Sequence, residues 1–206
     1  MIIPLFKTSY SIGKSLLRVE DIICIAQANK LKKVTLVEDN FYGFRSANSA
    51  FIHADIAMVY GVRIPVFQSE SERSSKLVFF AKNNKGLNNL RNLYSKSKLS
   101  ALEVLNISNL ESSELEDIKI GVPFYDSYIY NNIFHFGLCD VNLDKYDHFY
   151  MEEDNNHPFD FQIKERLKKL NIKTQKTKTI YYRNREDFEA FQMYKAVSSR
   201  KQGKVP

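Results

Sequence analysis

The side chains able to do chemistry are few and scattered. The histidines are His53, His135, His148 and His157, and the cysteines are Cys24 and Cys139. One stretch brings such groups close together. His148, Glu152, Glu153, Asp154 and His157 offer imidazole and carboxylate donors, the ligand types that suit zinc or manganese. Their irregular spacing in a polar segment reads more simply as a solvated acidic loop, with adventitious cation binding as the chemical alternative. His53 falls at the end of an expected helix, where a histidine packs or caps the last turn. Nucleophilic catalysis finds no constellation. Cys24 lies inside an expected helix, Cys139 has no His–acid neighbours, and no serine stands in a G-x-S-x-G elbow. The 7 glycines form no phosphate-cradling or dinucleotide pattern. Two widely separated cysteines without metal-site spacing fit reduced thiols in a cytoplasmic protein.

A second chemistry is electrostatic. Lys164, Arg166, Lys168, Lys169, Lys173, Lys176, Lys178, Arg183 and Arg185 form a basic run with Tyr181 and Tyr182 interleaved. Such residues hold phosphates and stack on bases. Alternation along a strand sends successive side chains to opposite faces, so at most one of the two tyrosines meets any groove. The plainer reading is a solvated helix face followed by an edge strand. The net charge of +6 is a remainder of opposed blocks. Residues 1–102 hold 15 Lys/Arg against 7 Asp/Glu, residues 103–160 hold 2 against 13, and residues 161–206 hold 13 against 4. An evenly basic DNA-coating protein would not alternate in this way. The blocks imply two faces, or two surfaces for different partners.

These residues need a fold to carry them. A chain of 206 residues with 44% hydrophobic and 26% charged residues is ordinary for a globular protein and long enough to bury a core without disulfides or metal. The N-terminus has no signal-peptide pattern and no apolar run is long enough to span a bilayer, so no membrane partner is expected. Helical spacing appears over Arg18–Asn29, Phe44–His53, Gly86–Lys98, Phe159–Leu170 and Arg185–Val197, the last entered through Asn184 as N-cap. In the fourth of these, Phe161, Leu167 and Leu170 are expected to face inward. Strand-like runs are Met1–Phe6, Lys33–Val37, Ile56–Val66, Lys76–Ala81, Ile118–Pro123, Phe134–Cys139, Phe149–Glu152 and Ile172–Tyr182, while Glu111–Asp117 reads as a helical or turn segment. Strand–helix alternation argues α/β, with a mainly parallel sheet or a distorted barrel.

The order of these segments resembles the PHP (polymerase and histidinol phosphatase) domain at the N-terminus of bacterial DNA polymerase III alpha subunits. In that family a His-X-His element is followed by Tyr-Ser and a Val/Ile-Glu-Asp helix start. Here Lys7, Thr8, Ser9, Tyr10 and Ser11 lead to Val19, Glu20 and Asp21. The family's Thr-Asp-His-Gly strand end running to Tyr-Gly is matched by Leu36, Val37, Glu38, Asp39 and Asn40 running to Tyr42 and Gly43. Its Gly-X-Glu strand matches Gly61 to Val66, and its apolar strand, Ala-Lys-Asn, Gly and helix match Leu77 to Leu93. Its closing Thr-Asn-Asp-X-His-Tyr followed by Glu-Asp matches Thr177 to Tyr182 and then Glu186 and Asp187.

The resemblance implies a distorted (β/α)7-type barrel over residues 1–206, one compact domain of first βα units (1–102), an acidic divergent segment (103–160) and a basic helix–strand–helix (161–206). Active members resemble metal-dependent phosphoesterases, whose His, Asp and Glu side chains at strand ends hold about three metal ions that activate water. In this chain the first His pair falls on Leu5 and Lys7, the Asp-His pair on Glu38 and Asp39, the strand Glu on Arg63, and the final Asp and His on Thr179 and Tyr181. Leu and Tyr offer no imidazole nitrogen, and Lys7 and Arg63 bring fixed positive charge to the place of cations. The resemblance therefore implies no catalytic, cofactor or metal residues here, with Lys7 and Arg63 pairing with Glu38 and Asp39 in place of metal bonds. It also implies a non-catalytic replication scaffold that docks a polymerase core or a proofreading exonuclease, whether the chain is a stand-alone protein or the N-terminal piece of a polymerase. A nucleic-acid-binding accessory protein with DNA as partner is the alternative, and a residual phosphoesterase or 3′–5′ exonuclease the second.

Overall fold

The computed structural model describes residues 2–68, 74–134, 141–153, 157–169 and 171–199. The elements run β1 (Ile3–Phe6), α1 (Val19–Ala28), β2 (Lys33–Glu38), α2 (Phe44–His53), β3 (Ala57–Phe67), β4 (Ser75–Ala81), α3 (Asn84–Leu99), β5 (Leu105–Asn106), β6 (Ile118–Val122), α4 (Tyr128–Phe134), β7 (His148–Glu152), α5 (Asp160–Lys169), β8 (Thr174–Ile180) and α6 (Asp187–Ser199). Strand order is β2-β1-β8-β7-β6-β4-β3-β5, and β2 also pairs with β3. Seven strands thus close on one another, with β5 added to β3 on the outside. The fold is mixed α/β and of the distorted barrel type the sequence implied. Its irregularity lies at β4, which runs antiparallel to both β3 and β6, whereas β1–β2, β6–β7 and β7–β8 are parallel.

By packing the chain divides into two units, Met1–Ile3 with Gly61–Lys178, and Pro4–Tyr60 with Thr179–Pro206, and the strands β1, β3 and β8 pass through both. The unit around Pro4–Tyr60 is built on β2, where Val34, Leu36, Val37 and Glu38 are all buried. Helix α1 buries Val19, Ile22 and Ala26, a helical stripe at i, i+3 and i+7. The Asp21 carboxylate accepts the Arg18 backbone N–H at 3.0 Å and so closes the first turn. Lys30 (φ 54°) and Asp55 (φ 55°) end α1 and α2 in the left-handed conformation that frees the chain to reverse. Ala47 and Phe51 of α2 are fully enclosed, and burying a side chain such as Phe51 contributes about 1.5–3 kcal/mol.

The Gly61–Lys178 unit has its core on β3, β4 and β6. Val62, Ile64, Val66, Leu77, Val78, Phe79, Ile120 and Val122 are all buried; β4 is the continuous apolar run of a strand covered on both faces, whereas β3 alternates its buried residues with Arg63 and Pro65. Helix α3 is capped by Asn83, whose side chain accepts the Gly86 N–H at 2.9 Å, and it seats Leu90 and Leu93 inward. Helix α5 seats Ile163 and Leu167, while Phe161 is 58% exposed. The expectation of Phe161 as a core residue is therefore corrected: Ile163 lies four residues before Leu167 and takes that side of the helix. Leu170 lies outside the described residues. Phe134 closes helix α4 rather than opening a strand, and residues 135–140, with His135 and Cys139, lie outside the described residues. Glu111–Asp117 is a run of turns. Helix α6 begins at Asp187, whose carboxylate accepts the Asn184 N–H at 2.8 Å, so Asn184 precedes the helix instead of capping it with its own side chain.

Candidate functional site: a polar clamp at the ends of β1 and β2

The carboxyl ends of the parallel strands β1 and β2 lie side by side, with Leu5 opposite Thr35 and Phe6 opposite Leu36. The chain leaving each strand is polar and yet enclosed. Lys7, Thr8, Ser11, Ser15 and Glu38 are each no more than 4% exposed. Such groups must find partners indoors, and they do. The Lys7 ammonium donates to Asp39 Oδ1 at 2.7 Å. The Thr8 backbone N–H donates to Glu38 Oε1 at 2.7 Å, and the Ser11 hydroxyl donates to Glu38 Oε2. Ser11 Oγ in turn accepts the Asp39 N–H at 3.0 Å, so one hydroxyl ties the two acids together. Ser15 Oγ donates to the carbonyls of Lys7 and Tyr181 and accepts the Leu17 N–H. Leu16 N–H to Tyr181 O and Lys7 N–H to Ile180 O complete the clamp.

Burial pushes the Glu38 carboxyl above the ordinary glutamate range, against the Ser11 and Thr8 hydrogen bonds and the more distant Lys7 charge, which all lower it. Next to the clamp, Tyr60 donates its hydroxyl to Asn40 O at 2.8 Å and stacks with Phe41, which holds the loop after β2. Gly43 is needed because a Cβ there would lie 2.0 Å from the Tyr10 ring.

Lys7 pairs with Asp39, as expected. The two Glu38 oxygens are hydrogen-bonded by an amide and a hydroxyl of the loop that carries Thr8 and Ser11, and the Lys7 charge is the smallest of the influences that lower its pKa. Arg63, in the other unit, has its ion pair with Asp126 at 3.7 Å, and this replaces the expected pairing with Glu38 or Asp39. Asp126 also receives Lys76 at 3.1 Å. Tyr181 is stacked on Phe191 of α6 at 5.5 Å, and Tyr182 packs on the same ring at 5.2 Å. Both lie beyond the end of β8, so strand alternation does not separate them, and both rings are half-buried against the helix.

A divalent metal of the kind the resemblance invokes does not fit this clamp. Leu5 is a buried hydrocarbon, the Lys7 ammonium occupies the neighbouring place, and each acid already has its partners. At a few ångströms an ammonium and a divalent ion repel by several kcal/mol even at an effective dielectric near 20.

The acidic–histidine stretch does not assemble either. The ring Nδ1–H of His148 donates to Tyr146 O at 2.9 Å, and its ring lies against Tyr150. His157 is exposed beside Tyr125, whose hydroxyl donates to the buried Asp160 at 2.8 Å. Glu152 and Glu153 are half-buried and Asp154 lies outside the described residues. Among the described residues no group of three His, Cys, Asp or Glu side chains could hold a metal ion. His53 caps its own helix, donating from Nδ1 to Ser49 O at 2.7 Å, and Cys24 is exposed on α1.

The basic run spreads over several elements. Lys164, Arg166, Lys168 and Lys169 lie on α5, Lys173 precedes β8, Lys176 and Lys178 lie on β8, and Arg183 and Arg185 follow it. Of these Lys164 is half-buried, and the rest are exposed. Arg183 is engaged by Asp21 at 3.5 Å. Sequence reasoning missed Thr8, Ser11 and Ser15 as members of the clamp. The one available signal was a cluster of small hydroxyl residues directly after a strand that ends in Lys7.

The comparisons with known proteins agree with this architecture. An amidohydrolase from Chromobacterium violaceum shares the fold at a TM-score of 0.52, with 9% identity over 94% of this chain and 96% of that one. The DNA polymerase III subunit alpha of Staphylococcus aureus strain COL is 30% identical over 105 residues, and that of strain Mu50 is 29% identical over the same length. The alignment takes in 50% of this chain and 10% of each polymerase subunit. No helix among the described residues is long and apolar enough to cross a membrane. Residues 6–113, which run from the end of β1 through Lys7, Ser11, Glu38 and Asp39 of the clamp to just beyond β5, match the PHP domain, and the chain belongs to the PHP domain family.

Proposed function

We propose that this chain is a non-catalytic PHP-type scaffold of a DNA polymerase III alpha-type replicative polymerase, as its N-terminal piece or as a stand-alone relative, and that it docks the polymerase core or its proofreading exonuclease. The observation that carries the reading is the buried Lys7 ammonium held by Asp39, in the place where catalytic relatives of the resembling family would hold metal. A PHP domain without water-activating metal keeps its strand ring and its surfaces, and binding is the work left to it. The similarity to polymerase alpha subunits supplies the setting. The basic run from Lys164 to Arg185 serves this reading as a docking surface for acidic protein segments or for DNA near the polymerase.

The test is size-exclusion chromatography of the chain with the polymerase and the exonuclease of its own organism, each at roughly 10 µM, a level at which complexes with micromolar Kd are well populated. Co-elution with either one is expected. Separate elution from both would refute the scaffold reading.

A further inference from the structure

We infer that Lys7 is the resident cation of the strand-end clamp, a covalently supplied charge that lets the unit close over its two acids without any divalent ion. The inference deepens the scaffold reading and rests on it. Two observations carry it. The Lys7 side chain is 5% exposed whereas that of Asp39 is 34% exposed, so the ammonium is the enclosed member and the carboxylate reaches it from the rim. A lysine held so deeply is tolerated where a carboxylate meets it at hydrogen-bond distance, and 2.7 Å is that distance. The second acid has also been taken out of play. Both Glu38 oxygens are satisfied by Thr8 N–H and Ser11 O–H, and Ser11 Oγ also receives the Asp39 N–H. Each acid therefore has hydrogen-bond partners from the chain itself. One binds the ammonium, and the other is bound by the loop between β1 and α1. The charge needed to hold the loop down is carried by the chain itself and does not depend on the metal content of its surroundings.

The experiment is thermal unfolding of the whole 206-residue chain after EDTA treatment, with and without added Mn2+ or Zn2+, on the wild type and on Lys7→Met, Asp39→Asn and the double variant. The wild-type Tm is expected to move by less than about 1 °C with either metal, since an ion that binds the folded state must raise it. Each single variant is expected to lose about 4–10 °C, because each leaves one charge of an enclosed pair behind. The double variant is expected to lose clearly less than the two losses combined. A metal-induced rise of several degrees in the wild type would overturn the inference, as would additive losses. Should a variant fail to fold, the wild-type response to metal decides alone. No partner protein is present in this titration, so a metal response would remove the resident cation and leave co-elution to judge the scaffold reading.

Discussion

Enclosing Lys7 and Glu38 at the adjacent ends of β1 and β2 sets two different electrostatic problems. Lys7 exchanges its hydration for an ion pair, whereas burial strips Glu38 of water faster than the Ser11 and Thr8 hydrogen bonds and the Lys7 charge compensate, and this is why its carboxyl is pushed above the ordinary range. A carboxyl raised in the folded state binds its proton more tightly there than in the unfolded chain. Its contribution to stability is then fully present below the unfolded value, near 4.5, and is lost as pH rises through the folded value. Other carboxylates act in the opposite sense, so a difference between proteins isolates the effect. The Tm of the wild type minus that of Glu38→Gln is expected to fall as pH is raised from about 4 to about 8. A difference that grows with pH would contradict the burial of Glu38. Much of this was legible residue by residue. The resemblance placed Leu5 and Lys7 at ligand positions, and the charge of Lys7 called for a carboxylate. The choice between Glu38 and Asp39 was hidden, because it turns on which side of β2 the loop carrying Ser11 folds.

Among the elements, α2 and α3 emerged from apolar spacing almost to the residue, since each has one strong stripe and a clear end. The short elements did not. Helix α4 has only seven residues, too few for a 3.6-residue period to show, and β5 has two. Helix α5 carries one aromatic residue, Phe161, beside its stripe of Ile163 and Leu167, and its size made it look like core. Gly86 gives a test of the element-level account. In an isolated helix, alanine for glycine is favourable by about 1 kcal/mol. Here a Cβ would stand 2.2 Å from the Asp117 carbonyl oxygen, a backbone atom at the entry to β6. Gly86→Ala is therefore expected to destabilise by roughly 1–3 kcal/mol through forced displacement of α3, read as a lower urea midpoint. A raised midpoint would show that α3 does not approach β6 so closely.

For the molecule as a whole, the charge blocks change meaning. The acidic segment 103–160 looked like a surface offered to partners, yet several of its carboxylates are met by the basic segment before it. Lys82 reaches Asp147 at 2.8 Å, Lys85 reaches Glu116 at 2.8 Å, Lys96 reaches Glu114 at 3.1 Å and Lys98 reaches Glu103 at 2.5 Å. Exposed pairs such as these add little stability, and their collective effect is neutralisation. Asp147 is held below the usual carboxylate range, first by the Lys82 hydrogen bond and then by the charges of Lys119, Lys82 and Lys173. Sequence blocks show charge without showing which strands pair, so this cancellation was invisible before β4 was seen beside β6. The family resemblance, by contrast, was legible from ordered motifs, because strand ends and the loops after them keep their spacing even when ligands change.

In the proposed scaffold the clamp holds the chain together and performs no metal-assisted hydrolysis. Its most direct test is the purified chain incubated with Mn2+ or Zn2+ and a chromogenic phosphodiester, with Asp39→Asn alongside. The account predicts no turnover above that of the metal alone for either protein. A metal-dependent rate in the wild type that disappears in Asp39→Asn would contradict it.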